Sequence, residues 1–169
     1  MDEKTRRGED GEQAMADWLD TAGLGYLYVA QSPERFAGLF GDEVKRPDFL
    51  VLIDSLGLIA VDVKNYTAKG GEYTLRFDKE VKKVIAFERI FRIPVWYAYL
   101  SKEGKQTWHW ISALKAIEVG EMRSRRDNGE KFLAIKMKEF VEIRENADLG
   151  KLYTQRMPSL RRTKKDLTD

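Results

Sequence analysis

Two acids and a lysine carry the chemistry this sequence offers: Asp48 in KRPDFLVLID, and Asp62 with Lys64 in LIAVDVKNY. Two carboxylates a few ångströms apart repel each other, and the usual relief is a raised pKa or a bound hard cation. Mg²⁺ suits such a pair because it takes oxygen ligands, keeps several waters and is completed by a substrate phosphate. A cation there activates water as a nucleophile, while a neighbouring ammonium orients that water or neutralises charge on phosphoryl oxygens. The tripeptide Asp/Glu-x-Lys alone says little, since the chain holds it at Asp2/Lys4, Glu43/Lys45, Asp62/Lys64, Glu80/Lys82 and Glu103/Lys105. Four of these lie in polar contexts that need no explanation. Only Asp62/Lys64 sits inside an apolar strand preceded, across a tight turn, by Pro47-Asp48. The competing reading is a cross-strand salt bridge on a solvated sheet face.

For these groups to converge, Pro47 to Asp54 and Leu58 to Tyr66 must be two strands of a hairpin turned by Ser55-Leu56-Gly57. Asp62 and Lys64 are two apart and share one face, while Val61 and Val63 take the other. A three-residue turn at 55–57 sets Asp54 opposite Leu58, which places Asp48 across from Lys64 and diagonal to Asp62. Phe49, Val51, Ile53, Ile59, Val61 and Val63 then pack the opposite face, and a slip of one residue would reverse the arrangement.

The flanking segments read as follows. From Gly8 to about Ala22, Met15, Trp18, Leu19 and Ala22 recur at helical steps, with a stop at Gly23. Glu12 lies three residues before Met15 and points toward the buried side of that helix, where a carboxylate needs a partner. Tyr26 to Val29 is a short strand, and Tyr73 to Phe77 another. Asp78 to Arg92 is a second amphipathic helix carrying Val81, Val84, Ile85 and Phe91, and Pro94 to Leu100 is a buried strand. Thr107 to Ile111 is its antiparallel neighbour, turned at Gly104. Asp127-Asn128-Gly129 turns a hairpin between the 118–126 stretch and Phe132 to Met137, and a short helix is expected around Leu149 to Gln155. The order predicts an α/β domain with a mixed sheet.

At the quoted residues the sequence resembles the PD-(D/E)XK nuclease superfamily, and within it the archaeal-type Holliday junction resolvases. The likeness runs from GEDGEQAMADWL through KRPDFLVL and LIAVDVKNY to IPVWYAYL, roughly the first 100 residues. It implies a single restriction-endonuclease-like domain over residues 1–155, a mixed β-sheet flanked by helices, followed by a basic tail at 156–169. It implies catalytic roles for Glu12, Asp48, Asp62 and Lys64. Asp48, Asp62, Glu12 and the carbonyl of Val63 are then ligands for Mg²⁺, for which Mn²⁺ can substitute, and Lys64 assists the attacking water. DNA is the implied partner, and a homodimer is compatible with symmetric cutting of two strands. The activity implied is metal-dependent endonucleolytic hydrolysis in DNA repair or recombination. The alternatives are a non-catalytic nucleic-acid-binding or assembly module on the same fold, and an RNA nuclease.

Composition narrows the field. The 169 residues hold no cysteine and one histidine, His109, which excludes disulfides, thiolate zinc sites, a cysteine nucleophile and multi-histidine metal sites. A formal net charge of +2 neither implies nor excludes nucleic acid, but residues 151–169 alone hold six cations and two acids. No run approaches the roughly 20 apolar residues of a membrane helix, so the expectation is a soluble cytoplasmic protein. The Gly-Lys pairs at 104 and 150 lack the rest of a phosphate-binding loop, so no nucleotide cofactor is expected.

Lys45, Arg46, Lys79, Lys82 and Lys83 flank the expected site and are candidates for phosphate contacts, with Asn65 and Tyr66 just past the strand. Arg161 and Arg162 belong to the basic tail, which reads as a nucleic-acid arm or a solubilising end. His109, between Trp108 and Trp110, reads as structural. Trp96, Tyr97, Tyr99, Trp108 and Trp110 fit core packing better than base stacking. Arg123, Arg125 and Arg126 read as an exposed loop or a DNA-contacting hairpin tip.

Overall fold

The computed structural model describes residues 3–32, 37–38, 40–101 and 107–155. The turn at Gly104 and the basic tail with Arg161 and Arg162 lie outside them.

Helix α1 (Glu3–Thr21) starts earlier than its apolar stripe, because four of the five residues of EKTRR are good helix formers and Glu3 pairs with Arg7 one turn on. It stops where expected: Gly23 has φ +69, and Leu24 and Gly23 return N–H bonds to Leu19 and Asp20. Next come β1 (Gly25–Tyr28), β2 (Phe49–Ile53) and β3 (Gly57–Lys64), then β4 (Glu72–Arg76). A π-helical turn at Phe77–Val81 leads into α2 (Lys82–Phe91), then β5 (Val95–Leu100) and β6 (Trp108–Ser112). The chain continues through α3 (Ala113–Val119), β7 (Glu121–Ser124), β8 (Lys131–Lys136), β9 (Val141–Ile143) and α4 (Gly150–Gln155). The α3 helix, capped by the Ser112 hydroxyl accepting from Lys115 N–H, was not expected.

A six-stranded mixed sheet has the order β1-β2-β3-β5-β6-β9, with β3 and β5 parallel and the other neighbours antiparallel. Along β5 the side chains alternate. Trp96 and Ala98 join Met15, Trp18 and Leu19 of α1, with Leu149 and Leu152, on one face. Tyr97 and Tyr99 face a second core with Val84 and Phe87 of α2 and Ala113 and Ala116 of α3. The expected aromatics of β5 and β6 are therefore core residues.

The single expected sheet is joined by a smaller one, β4-β8-β7. Its inner residues Tyr73, Leu75, Leu133 and Ile135 close the second core. Consequently the face of β3 that bears Asp62 and Lys64 is covered, not solvated: Asp62 is 1% exposed and Lys64 5%.

Candidate active site

The hairpin that carries the site closes one residue earlier than the sequence suggests. Ile53 pairs with Gly57, so the turn is Asp54-Ser55-Leu56, with Ser55 at φ 65 and Gly57 at φ 88. Phe49 therefore faces Val61. Continued one residue past β2, this register sets Asp48 toward Asp62, not toward Lys64 as expected. Both partners of each pair moved by one, so the faces are unchanged. Asp48 is held at three points: its N–H donates to the Val61 carbonyl at 2.9 Å, its carbonyl accepts from Val29 N–H at 2.9 Å, and its Oδ2 accepts from Val63 N–H at 2.6 Å.

Behind Asp48 lies a chain of alternating charges. Lys45 Nζ reaches both oxygens of Asp62 at 2.8 and 2.7 Å. Lys64 Nζ lies 3.1 Å from Asp62 Oδ2 and 2.7 Å from Glu80 Oε1. Glu80 Oε2 accepts from the Arg76 backbone N–H at 2.9 Å and from its Nε at 3.3 Å. The electrostatics follow from burial and neighbours. Burial and then the adjacent Asp62 push the Asp48 carboxyl up to about 8, so it holds a proton at neutral pH. Burial also penalises charged Asp62, but Lys45 and Lys64 outweigh it and hold the group below its ordinary value. For Glu80 the same contest, against burial, is won chiefly by Lys64, and its pKa falls to about 2. Lys64 is raised well above the ordinary lysine range, because Asp62 and Glu80 overcome the cost of burying its charge.

Glu80 is the site residue that sequence reasoning missed. Its Asp/Glu-x-Lys reads as polar in the sequence, yet Glu80 is only 7% exposed. The signal was its spacing: 80, 84, 87 and 91 fall on one helical face, three of them apolar.

Glu12 is half-buried, and its Oε2 accepts from the Tyr28 hydroxyl at 2.6 Å. That bond, burial and the charges of Glu12 and Asp48 raise the Tyr28 hydroxyl to about 12. Glu12 on α1 is thus tied to Tyr28 of β1, whose hydroxyl also feels the charge of Asp48. Asn65 donates to the Arg7 carbonyl at 2.9 Å where Gly11 lets α1 approach β3.

The candidate phosphate contacts divide. Lys45 is committed to Asp62, and Arg46 donates to the Ala30, Gln31 and Ser32 carbonyls, so its guanidinium fastens a loop. Lys79, Lys82 and Lys83 make surface pairs with Glu130, Asp78 and Asp42 at 3.1, 2.5 and 3.9 Å, of the kind that exchange readily. Tyr66 is exposed. Arg123 of β7 forks onto Glu72, and Arg125 in the hairpin beyond β7 pairs with Glu130, which makes them braces of the small sheet. His109 Nδ1 meets the Tyr73 hydroxyl at 2.9 Å, a structural contact.

Among the described residues no three carboxylate or imidazole side chains stand close enough to hold a metal by themselves. The donor set still fits a hard cation of the Mg²⁺ kind, which is held by one or two carboxylates plus water and phosphate. Asp48 is buried beside a second acid, and Lys45 and Lys64 offset the repulsion only in part, so its carboxyl is one whose ionised form a cation would stabilise. The Val63 N–H that bonds Asp48 turns the Val63 carbonyl to the same edge, because both groups of an extended residue point the same way.

No family model and no curated protein matches the chain. Among solved structures it is similar to Hjc, a Holliday junction resolvase from the archaeal hyperthermophile Archaeoglobus fulgidus. The TM-score is 0.52 at 20% identity, covering 81% of this chain and 92% of that one. That likeness establishes the fold: a mixed sheet flanked by helices, shared with an archaeal resolvase.

Proposed function

We propose that the protein is a metal-dependent endonuclease that hydrolyses DNA phosphodiester bonds, structure-specific and acting in repair or recombination. The observation that carries this reading is the buried convergence of Asp48, Asp62 and Lys64 at one end of β3. The fold shared with a Holliday junction resolvase supports it.

Asp48, Asp62 and the Val63 carbonyl would hold Mg²⁺ or Mn²⁺, with Glu12 supporting from α1. When bound, the ion supplies Lewis-acid activation of water and charge neutralisation at the phosphoryl group. Lys64 keeps its proton between Asp62 and Glu80, so it acts as a fixed cation facing developing phosphoryl charge and orients the attacking water by donating to it. Glu80, anchored through Arg76, holds Lys64 in place. Lys79, Lys82 and Lys83 can trade their surface acids for backbone phosphates, and Arg161 and Arg162 add charge in the tail. A homodimer would present two such sites to two strands.

The test is cleavage of linear, nicked, flapped and four-way DNA with Mg²⁺ or Mn²⁺, against an Asp62→Ala control. The pairing of Asp62 with two lysines also favours a second reading, a binding module that keeps the fold without the chemistry. Metal uptake separates them: a working site raises thermal stability with Mn²⁺, whereas a binding module retains DNA affinity in EDTA and shows no shift.

A further inference from the structure

Asp62 has two ammonium partners, and they are not equivalent. Lys64 is 6% exposed at its side chain and is gripped on its other side by Glu80. Its departure would take one ammonium partner from each of two buried carboxylates. Lys45 is 29% exposed at its side chain, and among the described residues Asp62 is the acid its Nζ binds. Its contacts at 2.8 and 2.7 Å span both carboxylate oxygens. A divalent cation coordinates the same oxygens at roughly 2.0–2.6 Å, so the ion and this ammonium compete for one set of lone pairs and repel each other. Lys45 neutralises Asp62, whereas the bond given to the Asp48 carboxyl among the described residues comes from the neutral Val63 N–H. An ion shared by both acids would serve both.

We propose that Lys45 is an internal cation filling the metal position of Asp62 in the metal-free chain, and that a divalent ion binds by displacing its ammonium toward a backbone phosphate of the substrate. This rests on the reading of Asp48 and Asp62 as metal ligands. The four-carbon stem of Lys45 lets the head swing to solvent while its backbone stays tied, Lys45 N–H to the Lys83 carbonyl at 3.2 Å.

The test is calorimetric titration of the full chain with Mn²⁺, with the Mn²⁺-induced rise in Tm as a second readout, for wild type, Lys45→Met, Lys45→Arg and Asp62→Asn. Removing the competitor in Lys45→Met is expected to tighten Mn²⁺ binding by about tenfold to a hundredfold. Lys45→Arg is expected to weaken it, because a guanidinium forks onto both oxygens of a carboxylate. Mn²⁺ binding that Asp62→Asn abolishes, but that Lys45→Met leaves equal or weaker than wild type, overturns the displacement while leaving the metal site standing. Binding unaffected by Asp62→Asn overturns the metal reading, and the displacement with it. Should Lys45→Met fail to fold, the arginine variant decides: Mn²⁺ bound more tightly than by wild type refutes the proposal.

Discussion

Replacing Glu80 by glutamine keeps the shape of the side chain and removes the charge that faces Lys64. At the 2.7 Å separation of Lys64 Nζ and Glu80 Oε1, an effective dielectric near 20 gives an attraction of about 6 kcal/mol. Desolvating both ions cancels much of that, so the net worth of the pair is small, but removing one partner strands the other. With side chains only 9% and 6% exposed, Glu80→Gln is expected to cost about 3 kcal/mol. In a chain of this size that lowers Tm by roughly 6–12 °C. Urea unfolding followed by fluorescence of Trp18, Trp96, Trp108 and Trp110, all buried, reads the change in midpoint at constant slope. The decisive form is a double-mutant cycle with Lys64→Met, in which the two substitutions should offset each other by about 2–3 kcal/mol. Costs that add within about 0.5 kcal/mol would refute the direct pairing of Lys64 with Glu80.

Three further outcomes follow from the same structure. Asp48, with its pKa raised to about 8, keeps in the folded chain a proton that the unfolded chain releases near pH 4, so metal-free stability should fall as pH rises from about 4 to about 8. Asp48→Asn should flatten that fall and exceed wild type in Tm at pH 8; an unchanged slope would contradict the assignment. Glu80 works in the opposite sense: its pKa, lowered to about 2, contributes stability above about pH 4 that is lost as pH drops toward 2. In α1, Gly8→Ala meets nothing within 4 Å and should gain up to about 1 kcal/mol of helix propensity. A methyl at Gly11 would lie 2.8 Å from Asn65 Cβ, so Gly11→Ala should fall about 1–3 kcal/mol below Gly8→Ala in thermal unfolding. Equal Tm values for the two would contradict the close approach of α1 to β3.

The parts of this fold legible in the sequence are those specified locally. The α1 stripe of Met15, Trp18 and Leu19, the apolar face of the β2–β3 hairpin and the common side of Asp62 and Lys64 all follow from periods of 3.6 and 2. The turn slid by one residue because Ser55 adopts positive φ, for which serine gives no signal. The β4 strand and the β7–β8 hairpin are legible too, but not their union in one small sheet, because β4 pairs with β8 about sixty residues away and nothing local announces that partner. Lys45 and Glu80 share this cause. Both sit in runs that look like solvated charge, and each gains its meaning from the same buried strand, β3, 16 or 17 residues distant.

The most direct test of a metal-dependent nuclease centred on Asp48, Asp62 and Lys64 is cleavage of a panel of linear, nicked, flapped and four-way DNA by purified protein. The expected result is cutting with Mg²⁺ or Mn²⁺ that is abolished by EDTA, by Asp62→Ala and by Lys64→Met. Wild-type protein that cuts none of these substrates above the Asp62→Ala control, with either metal, would contradict it.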